Sequence, residues 1–490
     1  MKPSKSSRLP LAASLTLVAG FAVASCVPEP VEPVTPRPPV NAILATAPPK
    51  IALGSRSLVD MTTRTEGSSP TAATWQYISG AEAFNNKLDA RLISIFDARA
   101  GGHHEPAALP ATPSVLLSNG VSITHEIVLA AGNVVGSRFV QTTMAGGVLT
   151  GLTDEITYED LSTGVVSASA SLINPAEIDS LRELLREVPV PGTPDPSTVA
   201  GPIPDAELLS AVALTPAGDL SITFRHVPGT GAALADPATV VLSPEATHEI
   251  ISPSGQALRQ AVMAKAAFAP PAPAPGGAEH VNCDLVACAA LTYDDGPNAQ
   301  TSRLLGILEK HRVFATFFQQ GGYVKANPAV ARSVAAAGHP IANHTMTHPY
   351  LTKLSPAGIG QEVQGTQAAI EKATGIVPAY LRPPYGASNK TVAASVGLPL
   401  ITWDVDSLDW QSRNKSVFIP RIMGLVKPGS IILQHDVHAT TVDGQDELIT
   451  QLKGKGFYLV TLPQLFAGID LKAGGSYKCR GTAPGCVPGR

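Results

Sequence analysis

Cys288-Ala289-Ala290-Leu291-Thr292-Tyr293-Asp294-Asp295-Gly296-Pro297 is an apolar run that ends in two adjacent carboxylates and a Gly-Pro turn. A run of this length bounded by a turn signal reads as a strand over 288–293, with both carboxylates at its C-terminal end. The same rhythm continues downstream, with strands predicted at 313–318, 339–343, 378–381, 399–404, 430–435 and 457–461. Helices fall between them. One is clearly punctuated: Ser355 caps it, Pro356 occupies its first turn and Gly375 ends it. Seven β-α units of this kind predict an α/β fold, a parallel barrel or a closely related closed sheet. Such enzymes carry their catalytic groups at the C-terminal strand ends. Titratable residues collect there: Asp294 and Asp295 after the first strand, His344 and His348 after the third. Arg382 follows the fourth, Asp406 and Asp409 the fifth, and His435 ends the sixth.

His344-Thr345-Met346-Thr347-His348 places two imidazoles four positions apart, on one side of a helical turn. With one carboxylate they match the three-ligand arrangement of catalytic zinc sites, which leaves a position for water. An isolated H-x3-H pair is weak evidence, but this one lies beside Asp294-Asp295 at a neighbouring strand end. Two adjacent carboxylates on a tight turn point in different directions, so one can bind a cation while the other stays free as a base. A calcium loop or a turn-capping pair would explain the aspartates and leave the histidines unexplained. Arg382 as a plain ion pair, Asp409 as a helix cap and Trp410 as core packing are the structural alternatives. A non-haem iron oxygenase also uses two histidines and one carboxylate, but it has no use for the spare aspartate and its arginine.

Working outward, a Pro/Ala-rich linker at 267–282 separates this region, 283–490, from an α+β region at 53–266. In the latter, Phe84, Leu88, Leu92 and Ile95 recur at helical spacing. Val121, Ile123, Ile127 and Leu129 fit one face of a strand, with His125 between them. Asn174-Pro175 opens a helix burying Ile178, Leu181, Leu185 and Val188, and Leu220, Ile222 and Phe224 alternate as a strand. His103-His104 reads as a solvated loop, His339 as closing a turn, and His438 as either a neighbour of the site or exposed.

The N-terminus carries Lys2, Lys5 and Arg8, then an apolar run from Leu9 to Ala24 that is short for a membrane span. It ends in Val23-Ala24-Ser25-Cys26, a lipoprotein box in which Cys26 receives the lipid. The competing reading is cleavage after Ala22-Val23-Ala24, with Cys26 incidental. Residues 1–26 are thus read as a signal peptide and 27–52 as a stiff Pro-rich tether. The remaining Cys283, Cys288, Cys479 and Cys486 suggest two disulfides with three possible connectivities, or a zinc knuckle. The 490 residues are 44% apolar and 15% charged, enough for sizeable cores. A net charge of −4 without basic blocks, and only 5% aromatic residues, argue against a nucleic-acid binder.

The five motifs Thr292–Pro297, His344–His348, Arg382-Pro383-Pro384-Tyr385, Asp406-Ser407-Leu408-Asp409-Trp410 and Leu433-Gln434-His435 resemble, in order, those of the NodB-type polysaccharide deacetylases, carbohydrate esterase family 4. Tyr293 stands where that family usually has phenylalanine. The resemblance spans about residues 283 to 470 and implies a distorted (β/α)7 barrel. It further implies that Asp295, His344 and His348 hold a divalent metal, usually Zn2+ and sometimes Co2+ or Ni2+. Asp294 would be the base acting on metal-bound water and His435 the acid for the departing amine. Arg382 would keep Asp294 ionised, Asp409 would raise the proton affinity of His435, and the Tyr385 backbone N–H would meet the oxyanion. Trp410 and Leu433 would wall the sugar and acetyl pockets. The implied activity is removal of acetyl from N-acetylglucosamine in cell-wall peptidoglycan, by an extracytoplasmic protein anchored to the bacterial membrane through Cys26 or secreted without it. Chitin-oligosaccharide deacetylase, O-acetyl-xylan esterase and a non-catalytic wall-binding or sensor protein are the alternatives. The intact Asp295 favours the glucosamine branch over muramic-acid deacetylases. The upstream region resembles an α+β extracytoplasmic domain found before such catalytic domains.

Overall fold

The structure is a computed structural model that describes residues 42–45, 58–110, 117–186, 188, 204–226, 233–268 and 279–489. Cys26, the signal peptide and most of both Pro-rich linkers lie outside these residues. Asn41–Arg490 form one compact unit.

The upstream region contains two sheets. Strands Leu58–Arg64, Thr71–Ile78, Gly120–Ala131, Val134–Ala145, Val148–Asp160 and Val165–Ala168 pair in chain order. All neighbours are antiparallel except Thr71–Ile78 with Gly120–Ala131, which run parallel on either side of the helix Glu82–Ala100. That helix ends on left-handed Gly101 and buries Phe84, Leu88, Leu92 and Phe96, while Ile95 is only half-buried. Each buried side chain of this size contributes roughly 1.5–3 kcal/mol. Val121, Ile123, His125, Ile127 and Leu129 all turn inward, and burial pushes the His125 imidazole down to about 3. The second sheet, Ala42–Ala45, Ala233–Leu242, Leu220–His226 and Val212–Leu214, is antiparallel in that order. It shares a core with helices Ile178–Arg186, Pro244–Ile250 and Pro253–Met263. His104 is buried against the Phe96 ring, which corrects the solvated-loop reading of that histidine.

The downstream sheet is parallel, in the order Ile341–Asn343, Thr316–Gln319, Cys288–Asp294, Ser430–His435 and Val405–Asp406. Tyr458–Val460 pairs with Cys288–Ala290, the lower half of the central strand, and Thr316–Gln319 with its upper half. Every residue of the central strand is buried, as expected where a parallel sheet is covered on both faces. Ala289, Leu291 and Tyr293 pack among the helices, and Cys288 and Ala290 pack on the opposite face. The helix predicted after Ser355 runs Pro356–Thr374, with the Ser355 side chain accepting from Gly358 N and Gly375 left-handed at its end.

The expected (β/α)7 barrel is not closed among the described residues. The predicted strand at 378–381 contributes only isolated bridges, Leu381 to Asn343 and to Leu400, and prolines at 378, 383 and 384 remove ladder donors around it. In place of the predicted strand at 399–404 stand two halves, Leu400–Ile401 within it and Val405–Asp406 just beyond it. The free edge of the first half is taken by Ser476–Tyr477. Between the halves, the Asp404 carboxylate accepts from Ile431 N at 2.7 Å, replacing a ladder carbonyl. The result is a mixed α/β fold with an open parallel sheet.

One apolar cluster joins both regions: Trp75, Tyr77, Leu92 and Phe96 pack with Leu285, Ala290, Ile431 and Val460. Polar ties reinforce it. His280 meets Glu82 at 2.6 Å and Asp89 at 2.8 Å, and Tyr458 Oη donates to Thr62 O at 3.0 Å. Of the three disulfide connectivities, the structure has Cys283–Cys288 and Cys479–Cys486, with Cα separations of 5.5 and 4.5 Å.

Candidate active site

Successive strand residues point to opposite faces, so Asp294 and Asp295 should diverge. They converge because Asp295 is left-handed, with φ 75°, which turns its carboxylate back toward the face that Asp294 occupies. His344 Nε2 then lies 3.7 Å from Asp294 Oδ2 and 3.5 Å from Asp295 Oδ1, and His348 Nε2 lies 3.5 Å from the same Asp295 oxygen.

The two histidines are not on a helical turn, which corrects the reading from their spacing. The segment is an irregular loop in which Thr345 and His348 are left-handed, at φ 63° and 60°. Such conformations cost about 1–3 kcal/mol each unless the surroundings fix them. Here they are fixed. Asn343 Oδ1 accepts from Thr345 N at 2.8 Å, and Glu362 Oε2 accepts from both Met346 N and Thr347 N at 2.8 Å. His344 Nδ1 lies 2.8 Å from Arg382 O. A carbonyl can only accept, so Nδ1 is the donor and Nε2 is the nitrogen that faces the carboxylates.

Asp295, His344 and His348 each offer one ligand atom, all within 4.8 Å of one another. Ligands about 2.0–2.2 Å from a tetrahedral ion stand roughly 3.4 Å apart, which agrees with the 3.5 Å separations. Two imidazoles and one carboxylate therefore fit a divalent ion. Burial works against the Asp295 carboxylate, but His344, His435 and His348 outweigh it and hold the group below its usual range. Burial, then the His344 charge, lowers His348 and favours its neutral, ligating form. Gln320 Nε2 donates to Asp295 Oδ1 at 2.7 Å and orients it.

Arg382, fully buried, donates from Nη1 to Asp294 Oδ1 at 2.7 Å and to Thr292 Oγ1 at 2.9 Å. Its Nε and Nη2 reach Ile401 O and Thr402 O, and its guanidinium carbon stands 4.1 Å from the centre of the Phe318 ring. His435 ends the adjacent strand, in register with Asp294. Its Nδ1 meets Asp409 Oδ1 and its backbone N–H donates to Asp409 Oδ2, both at 2.9 Å. Burial alone would push the imidazole down; the hydrogen bond and charge of Asp409, helped by Asp294 and Asp295, lift it to about 9. Leu433, buried, lies two residues before His435 on the same face. Tyr385 is exposed, left-handed at φ 61°, with its ring 4.7 Å from that of His348. Trp410 is exposed beside Asp409, and Asp406 serves its own loop by accepting from Leu408 N at 2.9 Å. His438 stands 5.8 Å, ring to ring, from His435, and His339 is buried, accepting from Ala315 N.

Sequence reasoning missed Gln320, Glu362, Thr441 and Asp436. Thr441 Oγ1 donates to Asp409 Oδ2 at 2.7 Å. Asp436 is buried under Gly296, accepts from Thr301 Oγ1, and is pushed up to about 7 chiefly by burial. A carboxylate immediately after His435 was the one available signal.

A family model described as polysaccharide deacetylase matches residues 283–401. The chain is 40% identical over 189 residues to a peptidoglycan-N-acetylglucosamine deacetylase of Listeria monocytogenes, covering 38% of this chain and 40% of that one. It is 40% identical over 177 residues to a peptidoglycan-N-acetylmuramic acid deacetylase of Bacillus subtilis, covering 36% and 38%. It is 37% identical over 194 residues to a chitooligosaccharide deacetylase of a Bradyrhizobium, covering 36% and 89%. The chain thus spans 40% or less of the length of the first two relatives and most of the third.

Proposed function

The chain belongs to the polysaccharide deacetylase family, and on that premise we propose that it hydrolyses the N-acetyl group of N-acetylglucosamine in cell-wall peptidoglycan. The observation that carries the proposal is the division of labour between two neighbouring carboxylates: Asp294 is held by Arg382 and Asp295 by His344 and His348.

Asp295, His344 and His348 would hold a divalent metal, Zn2+ suiting this nitrogen and oxygen set best, with Co2+ or Ni2+ as substitutes. Bound there, it would supply Lewis acidity toward water and the acetyl carbonyl near neutral pH. Asp294, held in place by Arg382, takes a proton from the attacking water as its oxygen adds to the acetyl carbon. The Tyr385 backbone N–H donates to the oxyanion that develops. His435, charged because Asp409 backs it, delivers a proton to the sugar nitrogen as the C–N bond breaks. Acetate and a free amine leave. Leu433 packs the acetyl methyl and Trp410 the sugar.

The domain limits 53–266 and 283–490, and an extracytoplasmic location with a lipid on Cys26, belong to the same proposal. Two disulfides agree with an oxidising compartment. No helix among the described residues is long and apolar enough to cross a membrane. Chitin oligosaccharides are the second reading, favoured by the long match to the Bradyrhizobium enzyme. The test is incubation of metal-loaded protein with wall fragments and mass spectrometry of the free amines on each sugar. Glucosamine should appear; acetate release from neither peptidoglycan nor chitin oligosaccharides would overturn the proposal.

A further inference from the structure

The site is flanked on both sides by exposed aromatic rings, and each flank carries a cation. On the side of the metal ligands, the Tyr385 ring beside His348 stacks on Tyr350 at 4.0 Å with the planes 15° apart, and Lys353 Nζ lies 4.7 Å from the Tyr350 centroid. The two tyrosines are 56% and 43% exposed, so the pile stands in solvent at the lip of the site. It fixes the ammonium rather than leaving it to sweep through water. On the side of the acid, Trp410 is 47% exposed, and Arg413 Nε donates to Trp410 O at 2.7 Å. The Arg413 charge, after burial, lowers the pKa of His438, which stands beside His435, so its field reaches the site.

The carboxylates that could neutralise these cations are committed elsewhere. Asp294 faces Arg382, Asp295 the two imidazoles, Asp409 His435, and Glu362 the loop N–H groups. Asp406 accepts from Leu408 N, and Asp436, fully buried, accepts from Thr301 Oγ1. Neither Lys353 nor Arg413 has an ion-pair partner among the described residues.

We propose that Lys353 and Arg413 are specificity-determining residues that read carboxylates on the flanking sugars, so that the preferred substrate is an acidic glycan rather than a neutral one. The inference rests on the deacetylase reading of the site and adds the class of polymer to it. Peptidoglycan fits that class. Its lactyl carboxyl is free on bare strands, and the stem peptides carry the charge where they are attached. Chitin oligosaccharides carry none.

The test compares kcat/KM of metal-loaded wild type and the double variant Lys353→Met, Arg413→Met on peptide-free glycan strands, peptide-bearing strands and chitopentaose. Each protein sample turns over all three substrates, so their ratio is independent of the folded fraction. The acidic-to-neutral ratio should fall about tenfold in the variant, through KM, and the wild-type ratio should shrink above roughly 0.15 M salt. The acidic polymer that loses most identifies the lactyl or the peptide carboxylate as the group read. A ratio unchanged within twofold overturns the inference while leaving deacetylation intact. Wild type inactive on all three overturns the deacetylase reading itself.

Discussion

Arg382 Nη1 donates to Asp294 Oδ1 at 2.7 Å, with the guanidinium wholly buried and the carboxylate nearly so. Removing one partner of such a pair costs about 3–5 kcal/mol, because the other charge is left buried and unpaired. Arg382→Met should therefore lower the unfolding free energy by an amount in that range, measured by urea denaturation. A loss below about 1 kcal/mol would show that the pair is not the anchor described.

Asp294 makes no contribution to the proposed ligand set, so its two roles separate cleanly. Asp294→Asn should retain one equivalent of metal by elemental analysis and lose about 10²–10⁴-fold in kcat. Turnover within tenfold of wild type would remove it as the base.

His435 is lifted to about 9 by Asp409 and the two aspartates across from it. Its folded value lies above the 6.5 of a free imidazole, so the stability it contributes is fully present below about 6.5 and fades as pH rises through about 9. The rate should follow the same protonation, with kcat falling on the alkaline side near pH 9. A bound dication would weaken the share from Asp294 and Asp295 but leave that of Asp409. Asp409→Asn should bring this alkaline limb down toward 6.5, and an unmoved limb in the pH profile would contradict the acid assignment.

Thr441 is one of four donors that saturate Asp409, with the Ser407 hydroxyl and the ring and backbone of His435. It is itself fixed by Gln445, which donates to its carbonyl at 2.8 Å and accepts from Tyr293 Oη at 2.7 Å. Thr441→Val should lower kcat several-fold with little change in KM and pull the alkaline limb downward, whereas Thr441→Ser should restore both. Equal defects in the two variants would indicate packing instead.

How far the sequence reaches is clear from particular residues. The helix from Ser355 to Gly375 was readable because its cap, first-turn proline and C-terminal glycine act locally. The gathering of Asp294, His344 and His435 was readable because a strand end is a strand end whichever way the sheet closes, whereas Arg382 joins them from beside a single bridge residue, Leu381. Closure was not readable: it fails where Ser476–Tyr477, far along the chain, takes an edge and the Asp404 side chain replaces a carbonyl. The backbone at His344–His348 was also misread, since four-residue spacing suits a helical turn and a loop held by Glu362 equally. Glu362 and Thr441 sit in helices with no local signature, and only tertiary contact gives them meaning.

The central claim is that one cation is shared by Asp295, His344 and His348. Anomalous X-ray diffraction at the zinc edge, from crystals grown with Zn2+, tests it directly. The account predicts a single strong peak about 2.0–2.2 Å from Asp295 Oδ1, His344 Nε2 and His348 Nε2. A peak elsewhere, or none among these three atoms at full zinc loading, would contradict it.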